Sequence, residues 1–148
     1  MTNSSIIENK ISSVEKYLET LGEYKEYSRE ELEKDIKIKG SVERYLYLVV
    51  QSTIDLAEAV ISYRNLRKPI TYKESFSILE SAKIIDGELS SELVKMVGFR
   101  NIIAHDYEKV DYDIVYDVLK NKLKDIEKFI KKIKELWKKL RRFLVKRS

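Results

Sequence analysis

Cysteine is absent from this 148-residue sequence, which excludes a disulfide framework and a thiolate zinc site. A single histidine also excludes a histidine-rich metal site, so no metal is expected. One proline and four glycines interrupt a chain rich in lysine, glutamate, isoleucine and leucine, which favours long helices. No apolar run approaches the roughly 20 residues of a membrane span. The N-terminus lacks the basic and apolar blocks of a signal peptide, so we expect a cytoplasmic protein.

Length and composition favour one helical domain over residues 1–148, since 43% hydrophobic and 36% charged residues suit a globular core. Residues 117–148 carry a net charge of +9 and the whole chain carries +4, which leaves −5 for residues 1–116. The basic helical extension over about 130–148 either attracts a polyanion such as RNA or forms the solvated face of a long helix. The solvated face is the commoner meaning of such a charge run.

Apolar residues recur at spacings of three and four, and no stretch alternates steadily with period two. This predicts an all-α fold, an up-and-down bundle of about four to five helices with a long C-terminal helix. The first helix is predicted over 4–24. Ser28 and Glu31 form a capping box that opens a second helix, predicted over 29–65 and loosened near Gly40 and Ser41. Asp55 interrupts an apolar part of that helix, where a structural pairing is favoured over a role in a site.

Proline marks the clearest break. Pro69 ends the preceding helix, and Thr71 with Glu74 forms a second capping box. The short helix that follows is expected to stop at residues 86–87, and the next helix is predicted to open at residue 90 or 91.

The closing helix is predicted from residue 112 and carries one apolar seam at alternating spacings of four and three. Its length of roughly 50 Å leads us to expect that it projects and packs on a second copy, another protein or a curved bundle. Trp137 lies on the seam, so we predict a core residue and not a base-stacking platform. The seam comprises Tyr112, Tyr116, Leu119, Leu123, Ile126, Ile130, Ile133, Trp137, Leu140 and Leu144.

The only histidine lies in the stretch from Gly98 to Tyr107, which reads GFRNIIAHDY. The guanidinium of Arg100 can hold a phosphate by two parallel hydrogen bonds. The imidazole of His105 can transfer a proton near neutral pH. Together they suit chemistry on a phosphodiester. On spacing alone, a lone histidine near a helix end serves equally well as a cap or as a partner for a neighbouring group.

Arg100 and His105 are five residues apart, so an ideal helix turns them about 140° from each other. Asn101 and His105, four residues apart, share a face. Three arrangements would bring Arg100 and His105 together: the reach of the arginine side chain, a helix that ends near His105 ahead of an N-cap at Asp111, or two copies that pair one chain's arginine with the other's histidine.

The stretch resembles the Arg-x4-His-x-Tyr signature of HEPN-domain proteins, specifically the HepT-like toxins. Glu43-Arg44, leading into residues 54–56, looks like the early helix of that family, and residues 69–76 look like its proline turn and short helix. Val110-Asp111 resembles the start of its closing helix. The resemblance covers roughly residues 35–130.

This resemblance implies a homodimeric, bundle-like protein whose signature residues meet in a cleft at the dimer interface. It implies a metal-independent endoribonuclease that needs no cofactor to cleave RNA. It also implies a partner, an MNT-type nucleotidyltransferase antitoxin that neutralises the toxin by transferring nucleotidyl groups from ATP to the signature tyrosine.

Residue by residue, Arg100, His105 and Tyr107 match the signature, and Asn101 matches the polar residue that commonly follows the arginine. The implied roles are catalytic for Arg100, which would hold the phosphorane, and for His105, which would be the general base or acid. Asn101 would support them by orienting the phosphate or the imidazole, and Tyr107 would be the modification point.

Two other functions fit the sequence. A non-catalytic HEPN module would bind nucleotides or present a substrate to a nucleotidyltransferase, although the presence of both Arg100 and His105 argues against it. A helical scaffold would grip RNA or a partner through the long basic helix.

Overall fold

The computed structural model of the chain describes residues 3–105 and 110–147. No β-strand occurs in these ranges, which confirms the predicted all-α fold with a long C-terminal helix. None of the described helices combines the length and the apolarity needed to cross a membrane. The elements are α1 (Asn3–Gly22), α2 (Arg29–Lys34), α3 (Ile36–Tyr63), α4 (Tyr72–Ser81), α5 (Gly87–His105), α6 (Tyr112–Asp117), a π-helical turn (Val118–Lys122) and α7 (Leu123–Arg147).

Helix α3 is central and packs against α1, α2, α4 and α5. It is apolar over much of its circumference, which is the pattern of a helix buried on several sides. Apolar residues of α1 at spacings of three, four and seven pack against it, with Ile7, Ile11, Val14 and Leu21 buried. The buried hydrophobic residues of α3 are Val42, Leu46, Val49, Val50, Ile54, Leu56, Ala57, Val60 and Ile61.

The prediction of one helix over 29–65 is wrong at Asp35, where the backbone is extended and α2 ends. The Asp35 side chain accepts hydrogen bonds from the backbone N–H groups of Lys37 at 3.0 Å and Ile38 at 3.2 Å, so it caps the start of α3. The predicted capping box at Ser28 and Glu31 is confirmed. Helix α3 runs without interruption through residues 40–41, so the loosening expected there is wrong as well.

The turn before α4 has the hydrogen bonds that the sequence predicted. Thr71 accepts from the backbone N–H of Glu74, and the Glu74 carboxylate accepts from the backbone N–H groups of Ile70 at 2.7 Å and Thr71 at 3.3 Å, which confirms the second capping box. The hydrogen bond from Ile70 is the largest cause that lowers the pKa of Glu74. This carboxylate therefore stays ionised where it stabilises the helix N-terminus.

The boundary between α4 and α5 differs from the prediction. Helix α4 ends at Ser81, and Lys83 adopts a left-handed backbone with φ of 62°. Asp86 then accepts a hydrogen bond from the backbone N–H of Leu89 at 2.8 Å. Aspartate at this position caps a helix, so Gly87 begins α5 instead of stopping its predecessor.

The closing helix packs on its own chain. Trp137 is buried, as predicted, its ring lies edge-on to Tyr63, and its indole N–H donates to Glu8 on α1 at 3.2 Å. Lys134 and Arg141 form ion pairs with Glu15 and Glu8. Contacts with α1 and α5 thus bury most of the seam up to Trp137 within this chain, as expected if the long helix packs in a bundle and not only on a second copy or another protein. Between residues 112 and 147 the helix departs from α-helical geometry only at the π turn, which the sequence did not predict.

We expect Asp35→Ala to lower the free energy of unfolding by about 1 kcal/mol, because two N–H groups at the start of α3 lose their acceptor. For a chain of this size the melting temperature should fall by about 2–4 °C. Thermal unfolding followed by circular dichroism would measure it. Lys37→Ala, an exposed change in the same turn, is the control and should melt with the wild type. Equal melting of Asp35→Ala and the wild type would contradict the capping role.

Candidate functional site

Helix α5 carries the motif on its last turns and is anchored by buried apolar residues, among them Phe99 and Ile103. Arg100 and His105 leave this helix in different directions, as the five-residue spacing predicts. Arg100 points toward α3 and α4, whereas His105 lines a cavity beside the first half of α3. The described chain therefore does not bring the two groups into one pocket.

The Arg100 guanidinium is half-buried, and three of its five N–H groups donate within the chain. Nη2 donates one hydrogen to the Gln51 side-chain oxygen at 2.7 Å and its other hydrogen to the Tyr47 hydroxyl at 3.1 Å. Nη1 donates to the Asn101 side-chain oxygen at 2.7 Å. The guanidinium also lies over the rings of Tyr47 and Tyr72, with its carbon 4.8 and 5.4 Å from their centroids. Its Nε is buried and has no hydrogen-bond partner among the described residues.

A second hydrogen bond fixes the group that holds Arg100. The Gln51 amide N–H donates to Asp55 at 2.9 Å, which leaves the Gln51 oxygen free to accept from Arg100. Asp55 thus has the structural role that was favoured, through a hydrogen bond and not an ion pair within the described residues. The resulting chain from Asp55 through Gln51 to Arg100 ties α5 to α3.

His105 is solvent-exposed and lines a cavity of about 500 Å³. Gly40, Glu43, Arg44 and Tyr47 of α3 form one wall, and the last three residues of α5 form the other. Tyr47 borders this cavity and also supports Arg100, so its ring separates the two groups. The two walls therefore carry the guanidinium of Arg44 and the imidazole of His105. A guanidinium can bind an anion, and an imidazole beside it can transfer a proton.

A hydrogen bond from another helix holds Glu43 in the cavity wall. The hydroxyl of Tyr112, at the start of α6, donates to the Glu43 carboxylate. Tyr112 is 2% exposed, and its burial, followed by the hydrogen bond to Glu43, raises its pKa well above the usual value. Lys39 lies over the Tyr112 ring with its Nζ 5.1 Å from the centroid. These contacts fasten the α6 end of the closing helix to the cavity.

The remaining predicted site residues are placed differently. Asn101 is exposed and bonds Arg100; no hydrogen bond joins it to His105 within the described residues, although the two share a face. Tyr107 lies outside the described residues. Within the described parts of the chain, no group of three or more histidine, aspartate or glutamate side chains could hold a metal ion.

The motif did not reveal the residues of α3 that complete the site. Arg44, Tyr47, Gln51 and Asp55 are spaced by three, four and four, which places them on one face of a helix that is otherwise mostly apolar. A polar stripe on a central helix is the signal that could have found them. It shows which face of α3 is polar, but it does not identify the helix that approaches that face.

The fold and the motif together define the HEPN class of all-α proteins. Residues 14–133 match the family model described as "Ribonuclease HepT-like". The mRNA nuclease HepT of Shewanella oneidensis is 33% identical over 132 residues, which span 88% of this chain and 98% of that protein. The tRNA nuclease HepT of Aphanizomenon flos-aquae is 26% identical over 135 residues, which span 90% of this chain and 92% of that protein.

A solved structure of the tri-AMPylated Shewanella oneidensis HEPN toxin in complex with an MNT antitoxin superposes with a TM-score of 0.81 at 32% identity, over 91% of this chain and 99% of the toxin. The chain belongs to the ribonuclease HepT-like family. The resemblance noted in the sequence and the expected class of enzyme, an endoribonuclease, are confirmed.

We expect Tyr112→Phe to lower the free energy of unfolding near neutral pH by about 1.5–3 kcal/mol, because the Glu43 carboxylate loses its donor. The raised pKa keeps Tyr112 protonated in the folded chain when an unfolded tyrosine ionises near pH 10. Above pH 10 the free energy of unfolding of the wild type should therefore fall by about 1.4 kcal/mol per pH unit relative to that of Tyr112→Phe. The difference in stability between the two proteins should close as the pH rises.

Urea unfolding of both proteins between pH 7 and pH 11 would measure this gap. Tyr116→Phe is the matched control on the same helix, because its hydroxyl makes no hydrogen bond within the described residues and its loss should cost little at pH 7. A constant gap across the pH range would contradict the proposed coupling between Tyr112 and Glu43.

Proposed function

We propose that this protein is a metal-independent endoribonuclease toxin that cleaves RNA at the His105 cavity and is neutralised by an MNT-type nucleotidyltransferase antitoxin. The observation that carries the proposal is the solvent-exposed imidazole of His105, which lines a cavity of about 500 Å³ together with the guanidinium of Arg44. The chain that holds this cavity is a member of a ribonuclease family. The relatives named as nucleases of mRNA and tRNA indicate RNA as the substrate class.

RNA supplies its own nucleophile, the ribose 2′-hydroxyl. A base removes its proton as the 2′-oxygen bonds to phosphorus, and the bond from phosphorus to the 5′-oxygen breaks as that oxygen gains a proton. A histidine can perform either proton transfer near neutral pH. A cation is needed where charge accumulates on the phosphorane. His105 supplies the proton chemistry in this scheme, and a second copy's His105 is available for the complementary transfer.

Arg100 reaches such a site most simply through a homodimer. Its side chain lies against exposed apolar surface, because the ring that it contacts belongs to Tyr72, which is 43% exposed. A second copy that covers this surface would bring one chain's Arg100 to the other chain's His105. One Nη1 hydrogen of Arg100 remains available for a phosphate, and Asn101 holds the guanidinium in position for it.

Tyr107 is the proposed point of control. It follows His105 by two residues, so a nucleotidyl group on its hydroxyl would place negative charge and bulk beside the cavity. RNA is a polyanion, and both effects oppose its binding. The AMPylated relative bound to its MNT antitoxin supports this assignment of partner and modification.

We expect unmodified protein, freed of its antitoxin, to cleave RNA equally well with and without a chelator of divalent cations. His105→Ala should reduce the cleavage rate by about 10²–10⁴-fold because proton transfer is lost. Arg100→Ala should reduce it by about 10²–10³-fold. Electrophoresis of labelled RNA would measure the rates. Intact RNA with wild-type protein, or equal cleavage by His105→Ala, would refute the ribonuclease assignment.

Mixing the two inactive variants tests the composite site in the same assay. A mixed dimer of Arg100→Ala and His105→Ala chains regains one complete site if each site takes its arginine and its histidine from different chains. It regains none if both come from the same chain. Full inactivity of a mixed dimer, verified by mass, would contradict a composite site that needs one arginine and one histidine from different chains.

We expect incubation with the antitoxin and ATP to add whole nucleotidyl units to the protein and to suppress RNA cleavage. Tyr107→Phe should gain no mass and remain active, whereas Tyr72→Phe, which alters an exposed tyrosine near the motif, should be modified like the wild type. Intact-mass spectrometry would report both. Addition of nucleotide to Tyr107→Phe would place the modification on another residue.

A further inference from the structure

We propose that Arg44 is the cation that binds the RNA phosphate beside His105 within the same chain. The inference rests on the proposed ribonuclease function and assigns a substrate contact outside the Arg-x4-His-x-Tyr motif. Arg44 lies on α3, 61 positions before His105 along the chain, and the two residues line facing walls of the same cavity.

Within one chain, Arg100 cannot fill this role in the arrangement observed. Its guanidinium is held by Gln51, Tyr47 and Asn101, and it is not among the residues that line the His105 cavity. Moving it there would leave the Gln51 and Tyr47 oxygens without their donor and would carry the charge past the Tyr47 ring. Any cation that the same chain offers to a phosphate beside His105 must therefore be a residue other than Arg100, whether or not a second copy also contributes its arginine.

Arg44 has the properties that such a cation requires. Its side chain is exposed, and no ion pair found between described residues includes it. Its guanidinium carbon lies 5.8 Å from the centroid of the Tyr47 ring, a cation–π contact that holds the planar group by one face. The edges of the fork remain available for bidentate contact with phosphate oxygens.

The space in front of Arg44 is open because Gly40 lies one helical turn before it on the same wall. An ideal Cβ built on Gly40 meets no atom within 4 Å, so this position leaves room that a side chain would occupy. Helix α3 is continuous here, and therefore Gly40 is not needed to break it. The absence of a side chain at Gly40 leaves space on the cavity wall beside Arg44, where the phosphate would bind.

The charge balance of the cavity depends on Arg44. Among its described lining residues, Arg44 is the only permanent cation and Glu43 the only carboxylate. One oxygen of the Glu43 carboxylate accepts from Tyr112, and no ion pair found between described residues joins Glu43 to Arg44. Removing Arg44 would leave an anionic cavity that repels RNA, whereas replacing it by lysine would retain the charge but lose the fork.

The test separates binding from cleavage by using RNA with 2′-O-methyl riboses, which lack the nucleophile. Arg44→Gln should weaken binding of this RNA by about tenfold and reduce the slope of log affinity against log salt concentration by about one. Arg44→Lys should recover part of the affinity. Arg64→Gln, which removes an exposed arginine at the end of the same helix and away from the cavity, is the matched control.

The outcomes distinguish this inference from the ribonuclease proposal. If wild-type protein cleaves ordinary RNA through His105 while Arg44→Gln binds the methylated RNA with unchanged affinity and salt slope, the role of Arg44 is wrong and the ribonuclease assignment stands. If wild-type protein neither binds nor cleaves RNA, both fail. An equal loss of binding in Arg64→Gln would show a diffuse charge effect, which also overturns the specific role of Arg44.

Discussion

The burial of one guanidinium determines how the site is built. A charge withdrawn from water is tolerated only where hydrogen bonds replace its hydration, and Arg100 finds three acceptors within the chain, two of them on α3. Those acceptors set the rotation and position of α5 relative to α3. Since His105 ends the same rigid helix, its place opposite Arg44 follows from the contacts of Arg100, even though the two motif residues point in different directions.

The ring of Tyr47 contacts two arginines, Arg44 and Arg100. Its centroid lies 4.8 Å from the guanidinium carbon of the half-buried Arg100 and 5.8 Å from that of the exposed Arg44. The Tyr47 hydroxyl also accepts a hydrogen bond from Arg100 at 3.1 Å. One guanidinium can thus stabilise the junction of α3 and α5 while the other remains available for an anion. The proposed phosphate contact lies far from the motif along the sequence, because the exposed arginine is on α3.

Local sequence signals predicted much of the fold, since capping boxes and seam residues act over three or four positions. Ser28 with Glu31, Thr71 with Glu74, and the burial of Trp137 follow from such signals. The break at Asp35 and the role of Asp86 as the cap of α5 were missed for a physical reason. Aspartate is tolerated on exposed helix faces and is also a preferred cap, and only the direction of the chain beyond it distinguishes the two. The surroundings of Arg100 could not be predicted in this way. Its partners Tyr47 and Gln51 lie 53 and 49 positions away along the chain, and a local periodicity carries no information on such contacts.

The surface around Arg100 indicates why one chain leaves the motif divided. Tyr72, whose ring the guanidinium contacts, is 43% exposed, and Ile70, two residues before it, is 88% exposed. Single exposed apolar residues are ordinary, but Tyr72 borders a half-buried charge that keeps one Nη1 hydrogen without an acceptor among the described residues. A second copy on this face would cover apolar side chains and bring acceptors to Arg100. The proposed pairing of Arg100 with a partner's His105 then has the same physical origin as the dimer, because the apolar surface and the incompletely satisfied arginine are adjacent.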